Sequence, residues 1–286
     1  MTWWKQLDKT SGSRPRAVLM MDADDRQVVA DRLTRLVGHP QVVVTAQHQW
    51  MPTGKPLPKK DGSWDKSTAN EAKLSRSTKL LDDMTRRELQ SWWLEFTSGA
   101  NVPNWDIASQ CHVGGVPGLL LVEAKAHGGE LAEKPTGKRP PTTLNGWKNH
   151  QKIGRAIADA SAELQFATGL PWAISRDKCY QLSNRFAWSW KLASLGIPVV
   201  LVYLGFLDAT EMPEPRFQKA GEGEHCWKTT VVKYGEGVVP SQVWEDDYTI
   251  DIDGVPLIPL IRTYNQRFDP NDSADIDDIE SEKVNK

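Results

Sequence analysis

Residues 198–207, Pro-Val-Val-Leu-Val-Tyr-Leu-Gly-Phe-Leu, carry no charge and show no alternation of polar and apolar side chains. A strand with one wet face alternates, whereas a strand apolar on both sides has to be covered on both sides. A second such run begins at Gly118, with Leu119, Leu120, Leu121 and Val122 behind it. The covering layers are legible as helical periods. Leu89, Trp92, Trp93 and Phe96 share one helical face within 84–98. Ile153, Ala156, Ile157, Ala160 and Leu164 share another within 149–168, ahead of Gly169 and Pro171. A third helix is expected over 177–195, with Asp177 as its N-cap and Gly196 and Pro198 as its stop. Further helices are expected from about Asp24 to Val37 and near 226–235. Strands are expected in Gln41–Ala46, 104–111, 171–175 and 255–264, and residues 50–80 read as a long polar loop. This order predicts an α/β fold: a mixed central β-sheet flanked by helices on both faces.

Four segments are expected. Residues 1–80 hold a strand, a helix and the loop, and 81–210 form the core. Residues 211–268 form an extension packed on it, and 269–286 an acidic, solvated tail without apolar periodicity. The net charge of −2 argues against a generally basic nucleic-acid binder, although the balance turns positive once the acidic tail is set aside. Thirteen Trp are expected mostly in packed positions. No apolar run approaches the roughly 20 residues of a membrane span. The start, Met-Thr-Trp-Trp-Lys, has no apolar signal core, and three unpaired Cys suit a reducing compartment, so a cytoplasmic location is expected.

The apolar run at 119–122 ends in Glu123-Ala124-Lys125. In a strand, residues two apart share a face, so Glu123 and Lys125 point the same way. If the chain turns at Gly114-Gly115, antiparallel pairing puts Asp106 directly opposite Glu123, with Cβ atoms about 4.5–5.5 Å apart. Two carboxylates that close repel unless positive charge lies between them. Lys125 supplies one charge, and a hard divalent cation, which prefers carboxylate oxygens, would supply the rest.

An acid on one strand, followed by acid-x-Lys on the next under a covering helix, resembles the PD-(D/E)XK nuclease superfamily. The residues that carry the resemblance are Asp106 in Asn-Trp-Asp-Ile and Glu123 and Lys125 in Val-Glu-Ala-Lys. The likeness spans about 84–205 and implies a restriction-endonuclease-like core that uses Mg²⁺ or Mn²⁺ to hydrolyse nucleic-acid phosphodiesters, with DNA the expected partner. Asp106, Glu123 and Lys125 are then catalytic, and Asp106 and Glu123 hold the metal. The superfamily has one strand more than the two found between Phe96 and Lys125, and Gln41–Ala46 is the expected donor. A homodimer is allowed.

Gln151 and Lys152, taken to start the second helix, and Asn184 and Arg185 on the third are expected to contact the nucleic-acid backbone. Lys134, Lys138, Arg139 and Lys148 would add to a basic patch. Glu88, Glu95 and Glu130 are further candidate acids. Glu71-Ala72-Lys73 repeats the tripeptide without an apolar run before it, and is expected to be a solvated helix face. An inactive nucleic-acid-binding protein on the same fold is the alternative. Two weaker patterns remain. Ala17–Asp25, if an apolar strand ending in Asp22-x-Asp24, is similar to the haloacid-dehalogenase phosphatases. Cys111-His112 with His225-Cys226 offers zinc-ligand types.

Overall fold

The computed structural model describes residues 2–77, 79–98, 100, 102–131, 137–213, 216–217 and 226–270. The basic-patch residue Lys134, His225 of the zinc pattern and nearly all of the acidic tail lie outside these.

In chain order the elements are α1 (Ser13–Met20), α2 (Arg26–Val37), β1 (Val42–Val43), β2 (Trp50–Met51), β3 (Leu57–Pro58), β4 (Trp64–Asp65), α3 (Asp83–Trp93), β5 (Ile107–Val113), β6 (Val116–Lys125), α4 (Leu144–Thr168), α5 (Tyr180–Ser194), β7 (Val199–Phe206), α6 (Trp227–Tyr234), β8 (Ile250–Ile252) and β9 (Val255–Tyr264). The central sheet runs β1-β5-β6-β7-β9-β8, with β2 also paired to β5; β3 and β4 form a separate two-stranded ribbon. The β6–β7 and β7–β9 pairs are parallel, and the remaining pairs of the central sheet are antiparallel, so the sheet is mixed.

Both faces are covered, as the unbroken apolar strands require. Leu120, Val122, Val200, Val202 and Phe206 pack against Met20, Val29 and Leu33 of α1 and α2. Leu119, Leu121, Val199 and Leu201 face the other way, into a cluster with Trp93, Ile157, Leu182 and Phe186 of α3, α4 and α5. Trp227 of α6 joins that second layer, and its Nε1 donates to the Tyr203 carbonyl at 2.9 Å. Much of the tryptophan content lies here, with the rings of Trp93 and Trp188 edge to face at 5.5 Å.

Several local expectations change. Residues 13–20 form a helix, not a strand, with Ala17, Val18 and Met20 buried. Pro15 sits in its first turn, where no backbone N–H is needed. The haloacid-dehalogenase pattern therefore loses its strand, and Asp22 instead pairs with Lys55 at 3.2 Å. The expected strand at 171–175 is irregular: the Ala173 N–H donates to the Val238 carbonyl at 3.0 Å without extending into a ladder, and Trp172 Nε1 donates to Thr168 Oγ1 at 2.9 Å. Helix α3 stops at Trp93, where the Asn149 side chain accepts the Glu95 and Phe96 N–H groups at 2.9 and 2.8 Å. Helix α4 starts at Leu144 behind a Thr143 cap. Only Val42–Val43 of the expected first strand pair with β5. Residues 211–268 do more than pack on the core, since β9 lies inside the sheet between β7 and β8. Among the described residues no helix is long and apolar enough to cross a membrane.

Candidate active site

The β5–β6 hairpin turns at Gly114 and Gly115, where Val113 pairs with Val116. Its register runs back to Ile107 opposite Val122. One step further sets Asp106 opposite Glu123, and the Asp106 Oδ2 accepts the Ala124 N–H at 2.8 Å. A bridge between Ala72 and Trp105 adds another extended segment on the far side of Asp106. The same step places Glu71 opposite Asp106. Across neighbouring extended segments the row therefore reads Glu71, Asp106, Glu123 and then Tyr203, which is the β7 partner of Glu123. Glu71, Asp106, Glu123 and Lys125 line one cavity of about 740 Å³, together with Glu130, Gln181 and Arg185.

Glu123 is 2% exposed. A carboxylate this deep needs partners, and it has them. Oε1 accepts Lys125 Nζ and, at 2.6 Å, Gln181 Nε2; Oε2 accepts Arg185 Nε at 2.7 Å. Burial pushes the Glu123 pKa up, but the charges of Arg185 and Lys125 together outweigh burial and hold it below its ordinary value. Burial acts on Lys125 in the opposite sense, and Glu123 and Asp106 outweigh it, so its pKa rises. Asp106 has weaker support, from the Lys125 charge and the Ala124 N–H. Burial first, and the Glu123 charge second, push its pKa up to about 7. Among the described residues the buried Tyr203 hydroxyl has no hydrogen-bond partner, and burial raises its pKa well above 10.0.

The predicted site residues divide. Asp106, Glu123 and Lys125 come together. Arg185, expected to face a nucleic-acid backbone, is instead 5% exposed and committed to Glu123, to the Asn104 carbonyl at 2.6 Å and to Asn184 Oδ1. Its guanidinium lies 4.6 Å from the ring centroid of Trp105, so the residue before Asp106 is the platform of this cation. Asn184 is buried beside it and serves Arg185. Gln151 and Lys152 lie in the third turn of α4 rather than at its start, so their N–H groups belong to the helix, and neither lines the cavity. Lys138 and Lys148 lie over the rings of Tyr180 and Phe96. Glu88 pairs with Lys191, Glu95 is exposed, and Glu130 does line the cavity while accepting the Ser13 N–H at 3.0 Å.

Two participants are new. Gln181 was legible only as a polar residue on the inner side of α5. Glu71, expected on a solvated helix, is partly buried beside Asp106, and its Oε2 accepts Asn104 Nδ2 at 2.8 Å. Its signal was the pairing of Ala72 with Trp105, a nonlocal contact.

A divalent cation fits this donor set in part. Asp106 Oδ1 accepts no hydrogen bond among the described residues, and the Lys125 charge offsets the burial of its carboxyl only in part. Glu123 would have to loosen Lys125 or Gln181 to join it. Among the described residues no three His, Cys, Asp or Glu side chains are gathered as ready ligands. The zinc pattern fails at Cys111, whose thiol is buried under α1 and α2 and pushed up to about 12, while His112 faces the opposite side of β5. In comparisons with family models, curated proteins and solved structures, none matches this chain.

Proposed function

We propose that the chain is a divalent-metal-dependent nuclease that hydrolyses phosphodiesters of DNA, on a restriction-endonuclease-like core. The observation that carries this reading is the pairing of Asp106 against Glu123, with Lys125 bonded to Glu123, in an open cavity. A sheet built for stability alone has no use for three carboxylates in one row. When bound by Asp106 and Glu123, Mg²⁺ or Mn²⁺ supplies Lewis-acid polarisation of the phosphoryl group. Asp106 would hold the cation as its carboxylate, since a ligating carboxyl has to be deprotonated. Lys125, with N–H donors beyond the one given to Glu123, neutralises charge that builds on the phosphate oxygens. Arg185 and Gln181 hold the Glu123 carboxylate in one orientation. One observation favours a second reading, a nucleic-acid-binding protein without turnover: both Glu123 oxygens are already occupied by Lys125, Gln181 and Arg185.

Incubation with supercoiled, linear and single-stranded DNA, with Mn²⁺ or with EDTA, separates the two. Wild-type protein is expected to cleave only with the metal, and Asp106→Asn and Glu123→Gln to lose at least about 100-fold in rate. Glu123→Gln keeps the side-chain volume that Glu123→Ala would lose, but both leave Lys125 and Arg185 without their carboxylate, so a thermal melt of the variant accompanies the rates. Wild-type rates in Glu123→Gln would rule out the proposed role, and calorimetry showing no Mn²⁺ binding would select the second reading.

A further inference from the structure

A second cavity, of about 570 Å³, adjoins the first and has Asp8, Glu71 and Asn104 as shared wall. We propose that this cavity is a phosphate subsite, formed by Arg14, Lys66, Lys73 and Arg76, that holds a nucleic-acid strand beside Asp106 and Glu123. The inference rests on the nuclease reading for what the strand meets next; the anion site itself stands on its own residues.

The two cavities differ in sign. The first gathers Asp106, Glu123 and Glu130 with the shared acids, which outnumber Lys9, Lys125 and Arg185. A polyanion is repelled from such a pocket unless something adjacent attracts it. The second cavity has four cationic side chains against the two shared acids. Lys66 is exposed and Lys73 half-buried, and among the described residues neither has a carboxylate partner. Arg76 is exposed and gives Nη2 to the Ala100 carbonyl at 2.6 Å, which leaves its charge uncompensated. Arg14 forms the fixed part of the wall. Its side chain is 7% exposed, Nε bonds Asp8 at 3.0 Å, Nη2 bonds the Ala69 carbonyl, and Nη1 has no acceptor among the described residues. A buried guanidinium with an unused donor, in a wall that also presents two unpaired lysines, is suited to oxyanions, and phosphate contacts position a strand without reading its bases. Glu71 borders both cavities, accepting from Asn104 and lying 3.5 Å from Arg14, so it separates the anion-binding side from the cation-binding side.

The test is anisotropy of a labelled single-stranded DNA oligonucleotide in EDTA across a salt series. The Lys66→Gln/Lys73→Gln variant is expected to bind about tenfold more weakly at low salt. The slope of log K against log salt is expected to fall by about 0.7 per lysine removed. Lys228→Gln/Lys233→Gln, on exposed positions of α6, is expected to bind like wild type. Unchanged affinity and slope in the first variant would overturn the proposal, as would an equal loss in the second or no binding by wild type. Pyrophosphate is expected to displace the DNA, and displacement by poly-glutamate at equal charge concentration would overturn the phosphate assignment. Mn²⁺ calorimetry reports on the acid centre separately: loss of Mn²⁺ binding in Asp106→Asn with retention in the lysine variant shows that centre intact whichever way the DNA result falls.

Discussion

At the scale of single residues, the fold treats the two central acids differently. Glu123 receives Arg185, Lys125 and Gln181, and stays ionised. Asp106 receives one backbone N–H, and its pKa climbs from 3.8 to about 7. An acid whose pKa is raised by folding keeps a proton that the unfolded chain has already released, so stability falls as pH rises through the window from 3.8 to about 7, and the full cost is present above it. Asp106→Asn retains an acceptor for the Ala124 N–H and removes the titration. It is expected to exceed wild type in stability by about 1–3 kcal/mol at pH 8, with the advantage shrinking as pH falls towards 4. Urea unfolding at both ends of that range measures this; a constant difference at all pH values would show that Asp106 is not held protonated. The same substitution removes the proposed metal ligand, so a gain in stability together with a loss of cleavage would mark a residue kept for chemistry.

At the scale of elements, the hairpin sets the site. Gly114 and Gly115 have φ of +58° and +84°, and a two-residue loop with both positions left-handed twists in the sense the flanking strands require. No atom lies within 4 Å of a Cβ built at either position, so a side chain there costs backbone energy alone. Gly114→Asn is expected to be nearly neutral, since Asn tolerates this region, while Gly115→Val is expected to cost about 1–2 kcal/mol. Thermal melts of the two variants compare them, and equal melting temperatures would show that the turn does not hold the hairpin register. This part of the fold was legible in the sequence because a glycine pair between apolar runs is a local signal. The end of α3 was not legible, because the Asn149 side chain that captures the Glu95 and Phe96 N–H groups comes from another helix.

At the scale of the whole molecule, strands from both ends of the chain meet in one sheet. β1 and β2 pair with β5, and β9 runs parallel to β7 along eight residue pairs, Val199–Leu257 to Phe206–Tyr264. A chain cut after residue 210 would leave the apolar β7 with an open edge, which favours aggregation. Such a truncation is expected to lose the cooperative melt of the full chain and its near-ultraviolet circular dichroism. A soluble, cooperatively folding 1–210 fragment would show that the closing strands are accessory. The sequence by itself determined the layered α/β architecture, since strands apolar on both faces have to be covered twice. It also determined the meeting of Asp106, Glu123 and Lys125, since period-two alternation and a glycine turn act over short distances. Only the tertiary structure decided that Arg185 pairs with Glu123, that Gln181 joins it, and that Glu71 stands beside Asp106. Those contacts join segments far apart in the chain, and burial and charge balance in three dimensions select them, which no local pattern encodes.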